Sequence, residues 1–212
     1  MKKDKPLQAP AWLLKQVRQA KGKSKPEIYG NTLRLVSRKR LGTVCQSARC
    51  PNRGHCFSQG NATFMILGNI CTRACRFCAV EQGRPEELNA EEPQNVADAV
   101  SGLGLDFVVV TSVTRDDLDD GGAEQFARVI GTIKQFNPQT GVEVLVPDFA
   151  GNPISLKTVL DARPEVLGHN METVSRLYRQ VRPGASYERS LELLARAAEQ
   201  SQKNMAVKSG FM

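Results

Sequence analysis

The stretch ATFMILGNICTRACRFC, residues 62–78, decides the fold. Its first nine residues are largely apolar and predict a buried strand that ends at Cys71. The chain then runs Cys71-Thr-Arg-Ala-Cys75-Arg-Phe-Cys78, a CxxxCxxC spacing on the loop after that strand. Three closely spaced thiolates can bind three of the four irons of a 4Fe–4S cubane, and the open fourth iron is what reaction chemistry needs. Structural zinc asks for four ligands, and no histidine lies close enough in sequence to complete this trio.

From this strand onward the sequence alternates. Residues 93–104 read as a helix, 106–113 as a β-branched strand, 121–137 as a helix closed by Pro138, and 141–149 as a strand. Further on come a helix at 154–162, a short strand at 165–170, helices at 171–181 and 186–202, and a fifth strand opening within 204–212. Ser186 is the expected N-cap of its helix. Such alternation predicts an α/β fold with a parallel sheet and right-handed crossovers, wound open or curled into a barrel. Ligands in such folds sit at the carboxyl ends of the strands. Cys71, Thr111, Ser112, Asp148 and Asn170 all fall there.

Composition narrows the class. All six cysteines lie between Cys45 and Cys78, a crowding that points to metal, since reduced thiols are the rule in the cytosol. No apolar run approaches a membrane span, and the N-terminus MKKDKPLQAP has no secretory core, so a soluble, cytoplasmic protein is expected, off the membrane. Residues 1–44 carry twelve Lys/Arg against two Asp/Glu, a net of +10, which leaves the remainder at −3. This arm reads either as a solvated tail or as a surface that steers an acidic partner. Nucleic acid is not the expected partner, because the basic residues are not interleaved with stacking aromatics. We expect a basic extension over 1–44, a cysteine loop over 45–61 and an α/β domain over 62–212.

A second trio, Cys45, Cys50 and Cys56, has CxxxxCxxxxxC spacing just ahead of the first strand. CxxxCxxC with an aromatic (Phe77) before its last cysteine, after the first strand of a βα series, resembles the radical S-adenosylmethionine (SAM) signature. With the second trio in front, and with CPN at 50–52, GNICTRACRFC at 68–78, TSVTRDDLDDGGA at 111–123 and HNMETVSRL at 169–177, the chain resembles the lipoyl synthase family from about residue 30 to its end.

That resemblance implies a partial (βα)6 TIM-like barrel of the radical SAM type. It also implies two 4Fe–4S clusters and SAM as cofactors. Cys71, Cys75 and Cys78 would hold the cluster that cleaves SAM to a 5′-deoxyadenosyl radical. Cys45, Cys50 and Cys56 would hold the cluster thought to give up sulfur. The substrate would be an octanoyl chain on a lipoyl-carrier domain, as in 2-oxoacid dehydrogenase E2 subunits or the glycine cleavage H protein. Sulfur would enter at C6 and C8, with electrons from a donor such as ferredoxin or flavodoxin. A biotin synthase-like sulfur transferase and a zinc-stabilised binding module are the competing readings.

Other residues carry two readings. Gly121 and Gly122 either present backbone to the SAM amine or simply allow a helix-start turn. Asp116, Asp117, Asp119 and Asp120 either cap that helix or order a loop over the cofactor. Asn170 and Glu172 would hydrogen-bond the SAM ribose or amine, and Thr111 and Ser112 have similar placement. Arg189 and Lys208 are candidates for the cofactor's carboxylate, with ordinary salt bridges as the alternative. Arg49, Arg53, Arg73 and Arg76 either offset cluster charge or are solvated loop residues. His55 reads as a loop residue or a group near the cluster, and His169 as a satisfied, partly buried histidine.

The family pattern continues past the fifth strand and includes a C-terminal serine motif that this sequence does not contain. The expectation is therefore a fragment with an open sheet edge, weakly active or inactive by itself.

Overall fold

The computed structural model describes residues 10–12, 14–15, 25–201 and 205–212 of the 212. Part of the expected basic extension over 1–44 lies outside the described residues. In chain order the elements are α1 (Pro26–Arg38), β1 (Gly42–Thr43), α2 (Val44–Ser47), α3 (Arg53–Ser58), β2 (Thr63–Ile66), β3 (Ile70–Cys71), β4 (Glu81–Gln82) and α4 (Glu92–Leu103). They continue with β5 (Phe107–Ser112), α5 (Ala123–Phe136), β6 (Gly141–Leu145), α6 (Pro153–Asp161), β7 (Val166–Gly168), α7 (Tyr178–Val181), α8 (Tyr187–Gln200) and β8 (Ala206–Lys208).

The main sheet has the order β1-β2-β5-β6-β7-β8, parallel throughout except for β1, which pairs antiparallel with β2. Sequential parallel neighbours joined by helices are the architecture of a partial (βα) barrel. Side chains alternate across the sheet. Val108, Val110, Val142, Val144 and Leu167 are at most 1% exposed, covered by a helical layer that includes Val96, Val100, Phe126, Ile130 and Ile133. The opposite face carries Val109, Thr111, Glu143, Leu145 and Gly168. One register row across it runs Met65, Thr111, Leu145, Gly168, Lys208.

Three expected elements are corrected. The first strand does not reach Cys71. Leu67 and Gly68 turn into left-handed backbone (φ +69° and +90°), which ends β2, and Cys71 lies instead in the small β3–β4 sheet. The strand expected over 141–149 ends at Leu145, where Pro147 cannot donate to a ladder and Asp148 starts a short 3-10 turn by accepting the Ala150 N–H. The helix expected over 171–181 survives only as a 3-10 turn at Ser175–Leu177 and α7. Glu172 is held at φ +63° by a bridge to Phe211, a long-range pairing that no helical periodicity reports. Ser186 caps α8 as expected, accepting the Arg189 N–H at 3.3 Å.

Candidate metal and cofactor site

The CxxxCxxC loop begins from a braced turn. The Leu67 N–H donates to both oxygens of Glu92 at 3.1 Å, and its carbonyl accepts from Arg115 Nη1 at 3.2 Å. These bonds keep a buried leucine in a conformation that side chains disfavour. Gly122, at φ +89°, packs on the same leucine; a Cβ there would lie 2.3 Å from Leu67 Cδ1. The glycine turn therefore has a steric reason, independent of any ligand.

Cys71 Sγ accepts N–H groups from Arg73 at 3.4 Å and Thr114 at 3.3 Å. The Thr72 N–H and hydroxyl both reach the Thr114 carbonyl, which ties the loop to the segment after β5. Arg73 is buried, and its guanidinium meets Asp116 twice at 2.7 Å and Asp148 once at 2.7 Å. Burial alone would lower its pKa, but the two carboxylates outweigh that and raise it. Burial pushes the Cys75 thiol up, against the pull of Arg182, and the thiols of Cys71 and Cys78 push it further. The three sulfurs therefore interact across one loop.

The second trio is built the same way. Thr43 caps α2, which carries the buried Cys45, and Cys56 sits on α3. Thr32 on α1 donates to the Phe57 carbonyl at 3.0 Å and anchors α3. The Cys56 thiol is raised by burial and then by Cys45 and Cys50, so these sulfurs too are neighbours.

All six cysteines are free thiols. Among the described residues no three His, Cys, Asp or Glu side chains converge on a position for a single metal ion. A cubane does not require that, because each thiolate binds its own iron. By donor chemistry, a trio of free thiols fits a cubane whose fourth iron stays open.

The remaining candidates separate. Thr111 and Ser112 point to opposite faces: the Thr111 hydroxyl donates to the Leu145 carbonyl at 2.8 Å, whereas Ser112 Oγ is buried without a partner. An unpaired buried hydroxyl at a strand's carboxyl end suits a polar ligand. Asn170 packs its amide against Gly210, and Glu172 pairs through its backbone with the Gly210 carbonyl and the Met212 N–H. Arg189 Nε stands 3.6 Å from Asp148, and Lys208 Nζ 2.6 Å from Glu143, so both cations already face carboxylates. The acidic run divides its work. Asp120 accepts the N–H groups of Gly122 and Glu124 at the start of α5, while Asp116 and Asp117 hold Arg73 and Arg115. Arg49, Arg53, Arg76 and His55 are exposed. Sequence reading did not single out Glu92, Arg115 or Arg182; the RPG at 182–184, a break after a helical run, was the available signal for the last.

The sequence profile of the Radical SAM superfamily matches residues 65–212. A lipoyl synthase of Caldicellulosiruptor saccharolyticus is 51% identical over 203 residues, covering 96% of this chain and 69% of that protein. The chain belongs to the radical SAM superfamily and, within it, to the lipoyl synthase family. The lipoyl synthase of Caldanaerobacter subterraneus is 59% identical over 81% of this chain, and that of Chloroflexus aggregans 53% identical over 87%. This lipoyl synthase family member spans about 60% of the length of those two relatives. Two solved structures share the fold: methylornithine synthase (PylB), with a TM-score of 0.54 and 18% identity, and HydG, a maturase of the FeFe hydrogenase, at 0.56 and 15%. Each alignment covers 93% of this chain, with 54% and 50% of those chains. Among the described residues no helix is long and apolar enough to cross a membrane.

Proposed function

We propose that this chain carries out the reaction of its family: SAM-dependent insertion of two sulfur atoms at C6 and C8 of a protein-bound octanoyl group. The observation that carries the proposal is the pairing of a free-thiol loop, tied to the segment after β5, with a second free-thiol trio: Cys45 on α2, Cys50 between the helices and Cys56 on α3. In this reading Cys71, Cys75 and Cys78 hold the SAM-binding cluster, and Cys45, Cys50 and Cys56 hold the sulfur-donor cluster, two 4Fe–4S groups in all. When bound, these groups supply a carbon-centred radical able to take hydrogen from an unactivated C–H bond, together with sulfur.

The protein's own part is position and exclusion of water. Arg73, clamped between Asp116 and Asp148, fixes the loop between the first two thiols. Ser112, with its buried unpartnered hydroxyl at the end of β5, is a further candidate for the cofactor. Asn170, Glu172 and the Gly121-Gly122 turn are candidates for the SAM ribose and amine, and Thr111 for a contact through its remaining lone pair. Arg189 and Lys208 are candidates for the cofactor's carboxylate through the donors not turned toward Asp148 and Glu143.

The chain divides, in this reading, into a basic extension (1–44), an auxiliary-cluster segment (45–61) and a radical SAM domain (62–212). Partners are octanoylated carrier domains, of the 2-oxoacid dehydrogenase or glycine cleavage H type, and a ferredoxin or flavodoxin as electron donor. Six free thiols favour the reducing cytoplasm.

The test is anaerobic incubation of the reconstituted chain with SAM, a reductant and an octanoyl-lysine peptide, followed by mass spectrometry. Release of 5′-deoxyadenosine with sulfur added to the peptide supports the proposal. In a parallel incubation supplied with dethiobiotin, SAM cleavage with sulfur transferred to that compound alone would favour the biotin synthase-like alternative.

A further inference from the structure

Beneath the cysteine loop a directed chain of hydrogen bonds ends on Arg182. His169 Nδ1 lies 2.9 Å from the Val146 carbonyl, which can only accept, so Nδ1 carries the proton. Nε2 then accepts from Ser190 Oγ at 2.9 Å, and Ser190 Oγ accepts from the Tyr178 hydroxyl at 3.0 Å. The Tyr178 oxygen accepts from Arg182 Nη1 at 2.8 Å. Every donor in this series meets an acceptor. Nη1 also donates to the Asn170 carbonyl at 2.7 Å, and the guanidinium carbon lies 5.2 Å from the centre of the Tyr178 ring. Held from two sides, the side chain has little freedom left.

Two features of Arg182 remain unexplained by the fold. Its Nε is buried without a partner, and buried donors seldom go unpaired. Among the described residues it forms no ion pair, whereas the nearby Arg73 is offset by two carboxylates. Its position is specific as well. The preceding carbonyl, that of Val181, accepts the Arg76 N–H at 2.9 Å, docking the end of α7 onto the middle of the CxxxCxxC loop. Arg182 thus directly follows the residue that docks on Arg76, the chain neighbour of Cys75.

We propose that Arg182 is a positioning residue for Cys75, its unpaired donor and unneutralised charge serving the cluster that this cysteine ligates. The inference rests on reading residues 71–78 as the cluster loop. Reduction adds one negative charge to a cluster, and a fixed cation beside a ligand favours that form. The His169–Ser190–Tyr178 series is then the brace that keeps the cation in place.

The test uses the full chain with Cys45, Cys50 and Cys56 replaced by serine, so that one cluster is read alone. Arg182→Gln, Arg182→Lys and Tyr178→Phe are reconstituted anaerobically. Iron and sulfide are measured, and the midpoint potential is followed by electron paramagnetic resonance during reductive titration. All are expected to load about four irons. Arg182→Gln shifts the reduction equilibrium about tenfold toward the oxidised form, ~59 mV for one electron. Arg182→Lys recovers most of that shift, and Tyr178→Phe gives a smaller one. An unchanged potential in Arg182→Gln overturns the inference while leaving the cluster reading intact. If that variant does not fold, unchanged potentials in both Arg182→Lys and Tyr178→Phe overturn it equally. A parent protein that takes up no iron removes the cluster reading itself, and the inference falls with it.

Discussion

Arg73, two residues beyond the first cysteine of its loop, places Nη2 2.7 Å from Asp148 Oδ1, a carboxylate with no exposed side-chain surface. The other edge of the same guanidinium holds Asp116, so one residue joins the cysteine loop to the segments following β5 and β6. Removing one member of a buried pair strands the other charge. Arg73→Met should therefore cost about 3–5 kcal/mol in anaerobic denaturant unfolding. A loss below ~1 kcal/mol would show that water reaches Asp148 and that the clamp is not structural.

The turn that launches the loop makes a second prediction. Glu92→Ala removes the acceptor of the buried Leu67 N–H and also a partner of Gln125. The expected cost is about 1–3 kcal/mol, the penalty of an unsatisfied buried donor. Hydrogen exchange at Leu67 reads it directly: a faster rate is expected in the variant, and an unchanged one would contradict the assignment.

Gly122→Ala tests the same turn from its other side. The added methyl meets Leu67 at 2.3 Å on a left-handed backbone, which combines overpacking with strain. We expect a loss of about 1–3 kcal/mol by thermal or denaturant unfolding. Wild-type stability would mean that the Leu67 side chain repacks and that the left-handed backbone accepts a Cβ at no cost.

Acid should act in two separate windows. His169 titrates below its usual 6.5 because burial disfavours the cation, with Arg182 and Arg73 pushing the same way and the hydrogen bond to the Val146 carbonyl and the charge of Asp148 opposing. An unfolded histidine binds its proton first, so stability falls as pH drops from about 7 through 6, by at most ~1.4 kcal/mol per pH unit. Asp148 is held below the ordinary carboxylate range. Burial would raise it, but the hydrogen bond and charge of Arg73, with help from Arg189, prevail. Its contribution is complete above about pH 4 and is lost as pH falls through the depressed value. His169→Gln should flatten the upper window alone; an unaltered slope between pH 7 and 5.5 would contradict this.

The cysteine spacing and the strand–helix alternation were legible in the sequence because each is a local pattern. The runs 106–113 and 121–137 became β5 and α5 with only their ends trimmed. The helix expected over 171–181 failed because residues 170–172 answer to Gly210, Phe211 and Met212, some forty residues away. The site divides in the same way. The two thiol trios could be named, but spacing cannot reveal that Asp116 belongs to Arg73, or that Lys208 meets Glu143 rather than open space. Arg182 escaped notice because its interest lies in an unpaired nitrogen, a property only of the folded molecule.

The most direct test of the central claim is the iron, acid-labile sulfide and zinc content of the chain after anaerobic reconstitution. Two cubanes predict about eight irons with matching sulfide, falling to about four when Cys45, Cys50 and Cys56 are replaced. Zinc without sulfide, or no metal at all, would contradict the account.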